Sequence, residues 1–450
     1  MSVTGWANLS GSTVKLTVEI DFSQAVPEIN TPLGYTGSST WDSATWDDSV
    51  ALWNGNSPVY TDVTQWVRSI QTDQGFSRNT NKFNTSTASL LLDNIDGRFS
   101  PMNTSSPYRV GGATAIGPMR PARISVETDS SWYAIFTGLV QTWSEQYPDY
   151  GGDAVVNVSL VGLEARLGDY TRYPQAATGA GESAQSRIQR ILQSVNFTGD
   201  MYLSPGTYPL QATTLEGNAL DELQLVADSE SGYLWFGPYG ECNFYDASQT
   251  RIQLNGFNTY QFTSGTPSEG CVSFNYSEIE YAYDGELTKN IVSYQRVGGT
   301  VQTLVDNNSR ALYGDRAVTR TDLICTTDAA TQQIAAKDLA LIKTPDFRVE
   351  SIVVDARAQS TISALPYSQW ESLFNVLDLR NSCHVILDNR VGKATNDVMR
   401  RNVLISSISH SITPESWKVK LEFTTGTVLA QMRDTQWDGN FYWNSGVWSW

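Results

Sequence analysis

Lys15-Leu16-Thr17-Val18-Glu19-Ile20-Asp21-Phe22 alternates polar and apolar side chains at every step. Successive residues of a strand point to opposite faces, so this period describes a strand with one buried and one wet face. The same period returns far along the chain in Trp417-Lys418-Val419-Lys420-Leu421-Glu422-Phe423. Strand-like runs also occupy residues 88–93, 122–126, 132–136 and 154–161, with Gly138, Leu139, Val140 and Trp143 prolonging the third. Six or so short strands with regular turns predict a barrel or a sandwich as the first domain, over residues 1–170. A long loop rich in Gly, Ser, Asp and Trp interrupts it at 27–58, and loops of that length are usually functional or ordered by a partner.

The pattern then changes. Ile188, Ile191, Leu192 and Val195 recur at the spacing of one helical face, as do Leu220, Leu223, Leu225 and Val226. A hairpin follows, Tyr233-Leu234-Trp235-Phe236 turning through Pro238-Tyr239-Gly240 into Cys242-Asn243-Phe244-Tyr245. Residues 171–285 therefore read as a small α+β domain. From 286 to 425 strands dominate again, with one helix at 328–343 that Pro345 stops, because proline lacks the N–H and clashes with the preceding turn. That region reads as a second strand-rich domain, followed by a Trp-rich segment at 426–450. The expected fold class is mainly β, with two strand-rich domains and a small α+β insert.

Composition narrows the function. The 450 residues carry 47 acidic and 30 basic side chains, a net charge of −17, and the bases form no stripe. Sequence-independent phosphate binding is disfavoured, and the negative field repels DNA. The four cysteines, Cys242, Cys271, Cys325 and Cys383, form no C-x-x-C pair, so they are expected reduced and mostly buried rather than holding zinc. The two histidines, His384 and His410, lie in no metal-protease pattern. Cys383 and His384 are neighbours on a strand, so their side chains point apart and cannot form a nucleophile pair. No phosphate-binding, dinucleotide or nucleophile-elbow motif occurs. Abundant carboxylates leave a glycosidase pair open, although none lies in an apolar stretch. Asp96-Gly97 and Gly298-Gly299 read as turns, and the acidic spacing around Asp96 does not fit a calcium loop. Neither a signal peptide nor a membrane span is expected. The chain reads as a non-enzyme without a cofactor.

Seven of the 14 tryptophans fall in two similar segments. Trp41, Trp46 and Trp53 alternate with Asp, Asn, Gly and Ser, and Trp437, Trp443, Trp448 and Trp450 do the same. They could cover barrel ends, dock another protein through large rigid rings, or stack on sugars. With one segment near each terminus, they could also pack together. These seven are the candidate interaction residues.

Tyr60-Thr61-Asp62-Val63-Thr64-Gln65-Trp66-Val67 is followed by Leu92-Asp93-Asn94-Ile95-Asp96-Gly97-Arg98-Phe99-Ser100-Pro101. This pair of motifs resembles minor tail proteins of long-tailed actinobacterial phages. Arg120-Pro121-Ala122-Arg123-Ile124 and Phe136-Thr137-Gly138, the family's F-x-G turn, follow in family order. The family often carries an Arg-Gly pair where this chain has Gln74-Gly75-Phe76-Ser77-Arg78. The resemblance covers the first 170 residues well and the remainder loosely. It implies a tail-tip, or baseplate, hub protein, similar to type VI spike hubs: a homotrimer with two barrel-like β domains of tail-hub type per chain, whose six barrels adapt a sixfold tube to a threefold tip. It would be made in the host cytoplasm and placed at the virion tail tip. Its partners would be a distal tail or tube protein, a tape measure protein and tip or fibre proteins, with DNA passing through an acidic lumen. The alternatives are a hexameric distal tail ring protein and a carbohydrate-binding receptor module.

Overall fold

The computed structural model describes residues 14–23, 60–77, 82–110, 112–128, 131–148, 152–169, 171–172, 176–197, 199–250, 260–263, 271–283, 285, 287–345, 347–356, 369–387 and 399–424. The alternating segments form one mixed sheet of 14 strands. Its strands are β1 (Lys15–Asp21), β2 (Tyr60–Asp62), β3 (Val67–Ser77), β4 (Lys82–Asp93), β5 (Pro121–Glu127), β6 (Trp132–Gln146) and β7 (Val155–Gly162). Then come β8 (Tyr260–Thr263), β9 (Val272–Phe274), β10 (Glu278–Tyr283), β11 (Phe347–Asp355), β12 (Ser382–Leu387), β13 (Met399–Ile412) and β14 (Trp417–Thr424). The order is β9-β8-β12-β13-β3-β4-β7-β6-β5-β1-β2, with β14, β11 and β10 branching from β13.

The long strand β13 joins the two strand-rich regions. Its first half pairs with β12, and its second half lies between β14 and β3, with Ser407 opposite Gly75 and Ile412 opposite Ile70. This corrects the expectation of barrels: among the described residues there is no closed barrel. Closure requires the last strand of a set to pair with the first. Here the free edge of β3 is taken by β13, while a short 3₁₀ turn, Thr64–Trp66, leads β2 away from it.

Alternation decides which face is buried. In β14, Trp417, Val419, Leu421 and Phe423 are buried, while Lys418, Lys420 and Glu422 are exposed. They join Val18, Ile20, Ile70, Leu90, Ile124, Val158 and Ile408 in a single core beneath the sheet. Each such large side chain contributes about 1.5–3 kcal/mol on burial.

The helices are α1 (Ala165–Asp169), α2 (Ala184–Ser194), α3 (Ala219–Ser229), α4 (Asn307–Tyr313), α5 (Asp328–Ile342) and α6 (Gln369–Val376). Ser183 caps α2 by accepting from Ser186 N, and Asn218 caps α3 by accepting from Leu220 N. Both helices share a second core with the three-stranded sheet Met201–Leu203, Cys242–Tyr245 and Tyr233–Phe236. The expected helix at 328–343 is α5, which packs over the sheet of Gln302–Val305, Ile291–Arg296 and Ala317–Leu323 in a third core. Two further helices, α4 and α6, occupy the region where one was expected. At seven and eight residues they are too short to repeat an apolar period convincingly.

Cys242, Cys325 and Cys383 are buried, Cys271 is half-buried, and none is in a disulfide. Among the described residues, no helix is long and apolar enough to cross a membrane.

Candidate assembly surfaces

The Asn94–Ser106 stretch is a ladder of turns built by its own sequence. Gly97 N donates to Asn94 O, Ser100 N to Gly97 O, Asn103 N to Ser100 O and Ser106 N to Asn103 O. Side chains lock the ladder: Asn94 Oδ1 accepts from Phe99 N at 2.8 Å, and Asn103 Nδ2 donates to Gly97 O at 2.9 Å. Gly97 has φ +70°, a conformation that L side chains resist. Asp96 pairs with Arg98 at 2.6 Å, and the Arg98 guanidinium lies 4.0 Å from the centre of the Trp66 ring. Phe99 is fully buried among Trp66, Tyr108 and Trp143, and Trp143 Nε1 donates to Phe99 O. The motif is thus a rigid scaffold, and it leaves Ile95 and Met102 exposed.

The solvent face of the sheet has a different chemistry. Lys418, Ser411, Gln71, Ser89, Ser159 and Thr142 follow one another across six strands. A second row runs Lys420, Ser409, Asp73 and Thr87. Apart from Thr142, these residues line a groove of about 680 Å³. Asp73 accepts from Ser409 Oγ at 2.7 Å, and Lys420 pairs with Glu422 at 2.7 Å, so part of its charge is satisfied within the sheet. The remaining hydroxyls and amides hydrate readily and offer little grip to a polyanion. Strand alternation carried this signal in Ser407-Ile408-Ser409-His410-Ser411-Ile412, which the motif reading passed over.

The seven candidate tryptophans lie outside the described residues. Of the others, Trp235 and Trp417 are core residues, while Trp66 and Trp143 hold the turn ladder. The two histidines are not brought together chemically. His384 lies in β12 opposite Asn402, and His410 in β13 is buried and accepts a bond from Trp417 Nε1 at 3.2 Å. Gly138 is not a turn, as the resemblance had it, but sits inside β6. A Cβ there would lie 2.0 Å from Val161 O, so its role is close strand approach. Among the described residues, no cluster of His, Cys, Asp and Glu could hold a metal ion.

Comparison with solved structures places this architecture. A tail protein from Neisseria meningitidis aligns over 91% of this chain and 96% of its own, with a TM-score of 0.54 at 12% identity. The chain has a phage tail protein fold. A 43 kDa tail protein of prophage MuSo2 from Shewanella oneidensis aligns over 81% of this chain and 95% of its own, with a TM-score of 0.51 at 12% identity. An Escherichia coli type VI secretion component, described as similar to the T4 tail proteins gp27 and gp5, aligns at a TM-score of 0.42. That alignment covers 80% of this chain and 74% of the other, at 12% identity. No family model matches the chain, and no curated protein matches it in sequence.

Proposed function

We propose that this chain is a structural subunit of a phage tail tip, a non-enzymatic hub that assembles as a homotrimer around the DNA channel. The observation that carries the reading is the tail-protein fold extending over nine-tenths of the chain, both strand-rich regions included. Two strand-rich regions per chain, joined through β3 and β13, suit a threefold ring that offers six similar faces to a sixfold tube. The hydroxyl-rich face of the sheet is proposed as the channel wall, because its hydroxyls and amides outnumber its two lysines, Lys418 and Lys420, the second of which is paired with Glu422. The net charge of −17 works in the same direction. Strands β2, β9 and β10, which lie at the edges of the sheet among the described residues, are proposed to pair with neighbouring subunits and adjoining tail proteins. The Trp-rich segments at 27–58 and 426–450 are proposed as contacts with those proteins.

Light scattering on the purified full chain tests the assembly. Three copies of the 49.7 kDa chain, about 149 kDa, support the hub. Six copies would point to a distal tail ring, and a monomer that stays monomeric with tail partners would overturn the reading.

A further inference from the structure

Where the 237–241 turn meets the main sheet and the end of α6, the surfaces do not close. They leave a half-enclosed cavity of about 190 Å³, far above the ~10–15 Å³ that one water needs. Gln74 of β3 lines it at 4% exposure, and among the described residues its Oε1 has no hydrogen-bond partner. A buried amide oxygen left unpaired is destabilising, so this position calls for a donor from outside the described residues.

The other lining groups define that donor. His410, on the strand beside Gln74, uses Nδ1 to accept from Trp417, and burial keeps the ring neutral. Its Nε2 therefore carries the hydrogen and can donate. Asn375 accepts from Tyr133 through Oδ1, which leaves its Nδ2 as a second donor. Arg380, the only cation among the described wall residues, is neutralised by Asp378 through Nε and Nη2 at 2.9 and 2.5 Å. An anion would meet Asp378, and a cation would meet Arg380. What remains is neutral: amides, hydroxyls and one imidazole N–H, set beside the aromatic rings of Tyr133, Tyr239 and Phe374.

We infer that this cavity is a binding site for one small neutral polyhydroxylated molecule, a monosaccharide in size and chemistry. Such a ligand presents adjacent donors and acceptors around its edge and an apolar C–H face to an aromatic ring. Gln74 Oε1 accepts one ligand hydroxyl, Asn375 Nδ2 and His410 Nε2 donate to others, and the rings cover the C–H face. The site is independent of the hub assignment.

Saturation-transfer NMR on the full chain tests it with glucose, galactose, N-acetylglucosamine and arabinose, and with glucuronate and glucosamine as charged controls. The expected result is transfer to at least one neutral sugar and weaker or absent transfer to the charged ones. Gln74→Leu and Asn375→Ala should each weaken it about tenfold, the effect of losing one well-placed hydrogen bond. Asn375 is on the exposed side of α6, so its variant keeps the test valid if Gln74→Leu fails to fold. Trp41→Ala and Trp443→Ala should leave binding unchanged. No transfer to any neutral sugar would mean that the cavity holds only water and would overturn the inference. Transfer that survives both cavity variants, or vanishes in the Trp variants, would overturn it too.

Discussion

His410→Gln should remove a large part of the acid sensitivity of this fold. His410 is buried in β13, and desolvation holds its pKa at about 4, well below the ordinary 6.5. Below pH 6.5 the unfolded chain takes up a proton at this position that the folded chain refuses, so folding stability falls with pH. The contribution is fully present above 6.5 and is lost as pH falls towards 4. Each pH unit in that window costs about 1.4 kcal/mol, so the loss at pH 4.5 is about 2.7 kcal/mol. Glutamine keeps an oxygen that can accept from Trp417 Nε1, and it cannot take up the proton. Urea unfolding of both chains from pH 7.5 to 4.5 gives the answer, because other titrating groups cancel in the difference. The variant should start about 1 kcal/mol less stable from imperfect packing, and then gain about 2.7 kcal/mol on the native chain by pH 4.5. Curves that stay parallel through this range would refute the buried, neutral imidazole.

Glu241 should act in the opposite direction. Burial, followed by the nearby Asp378, raises its pKa to about 7, so its stabilisation is complete below 4.5 and is lost as pH rises through 7. Glu241→Gln should therefore gain on the native chain by about 2–3 kcal/mol between pH 4.5 and 6.5 in the same urea titration. Phe99→Ala empties the pocket between Trp66, Tyr108 and Trp143 and should cost about 3–5 kcal/mol, with a tryptophan fluorescence shift as the local readout. Gly138→Ala drives a Cβ into Val161 O and should cost about 2–3 kcal/mol in thermal unfolding, while the neighbouring Thr137→Ala stays milder.

The sequence by itself determined the elements and their faces. Period two placed β1 and β14 and named which of their residues are buried, because a strand's side-chain geometry is local. Helical spacing with Ser183 and Asn218 before it located α2 and α3 for the same reason. The first turn of the ladder was visible as Asp96-Gly97, since its bond joins Gly97 N to Asn94 O only three positions away. Only the tertiary structure decided that β3 pairs with β13, whose partners lie over 300 residues apart in sequence. A free strand edge carries the same N–H and C=O groups whatever its neighbour, so nothing local tells β3 to refuse β2 and leave the barrel open. The cavity shared by Gln74, Asn375 and His410 is hidden for the same reason: three ordinary polar residues become a site only when separate segments pack around the space between them.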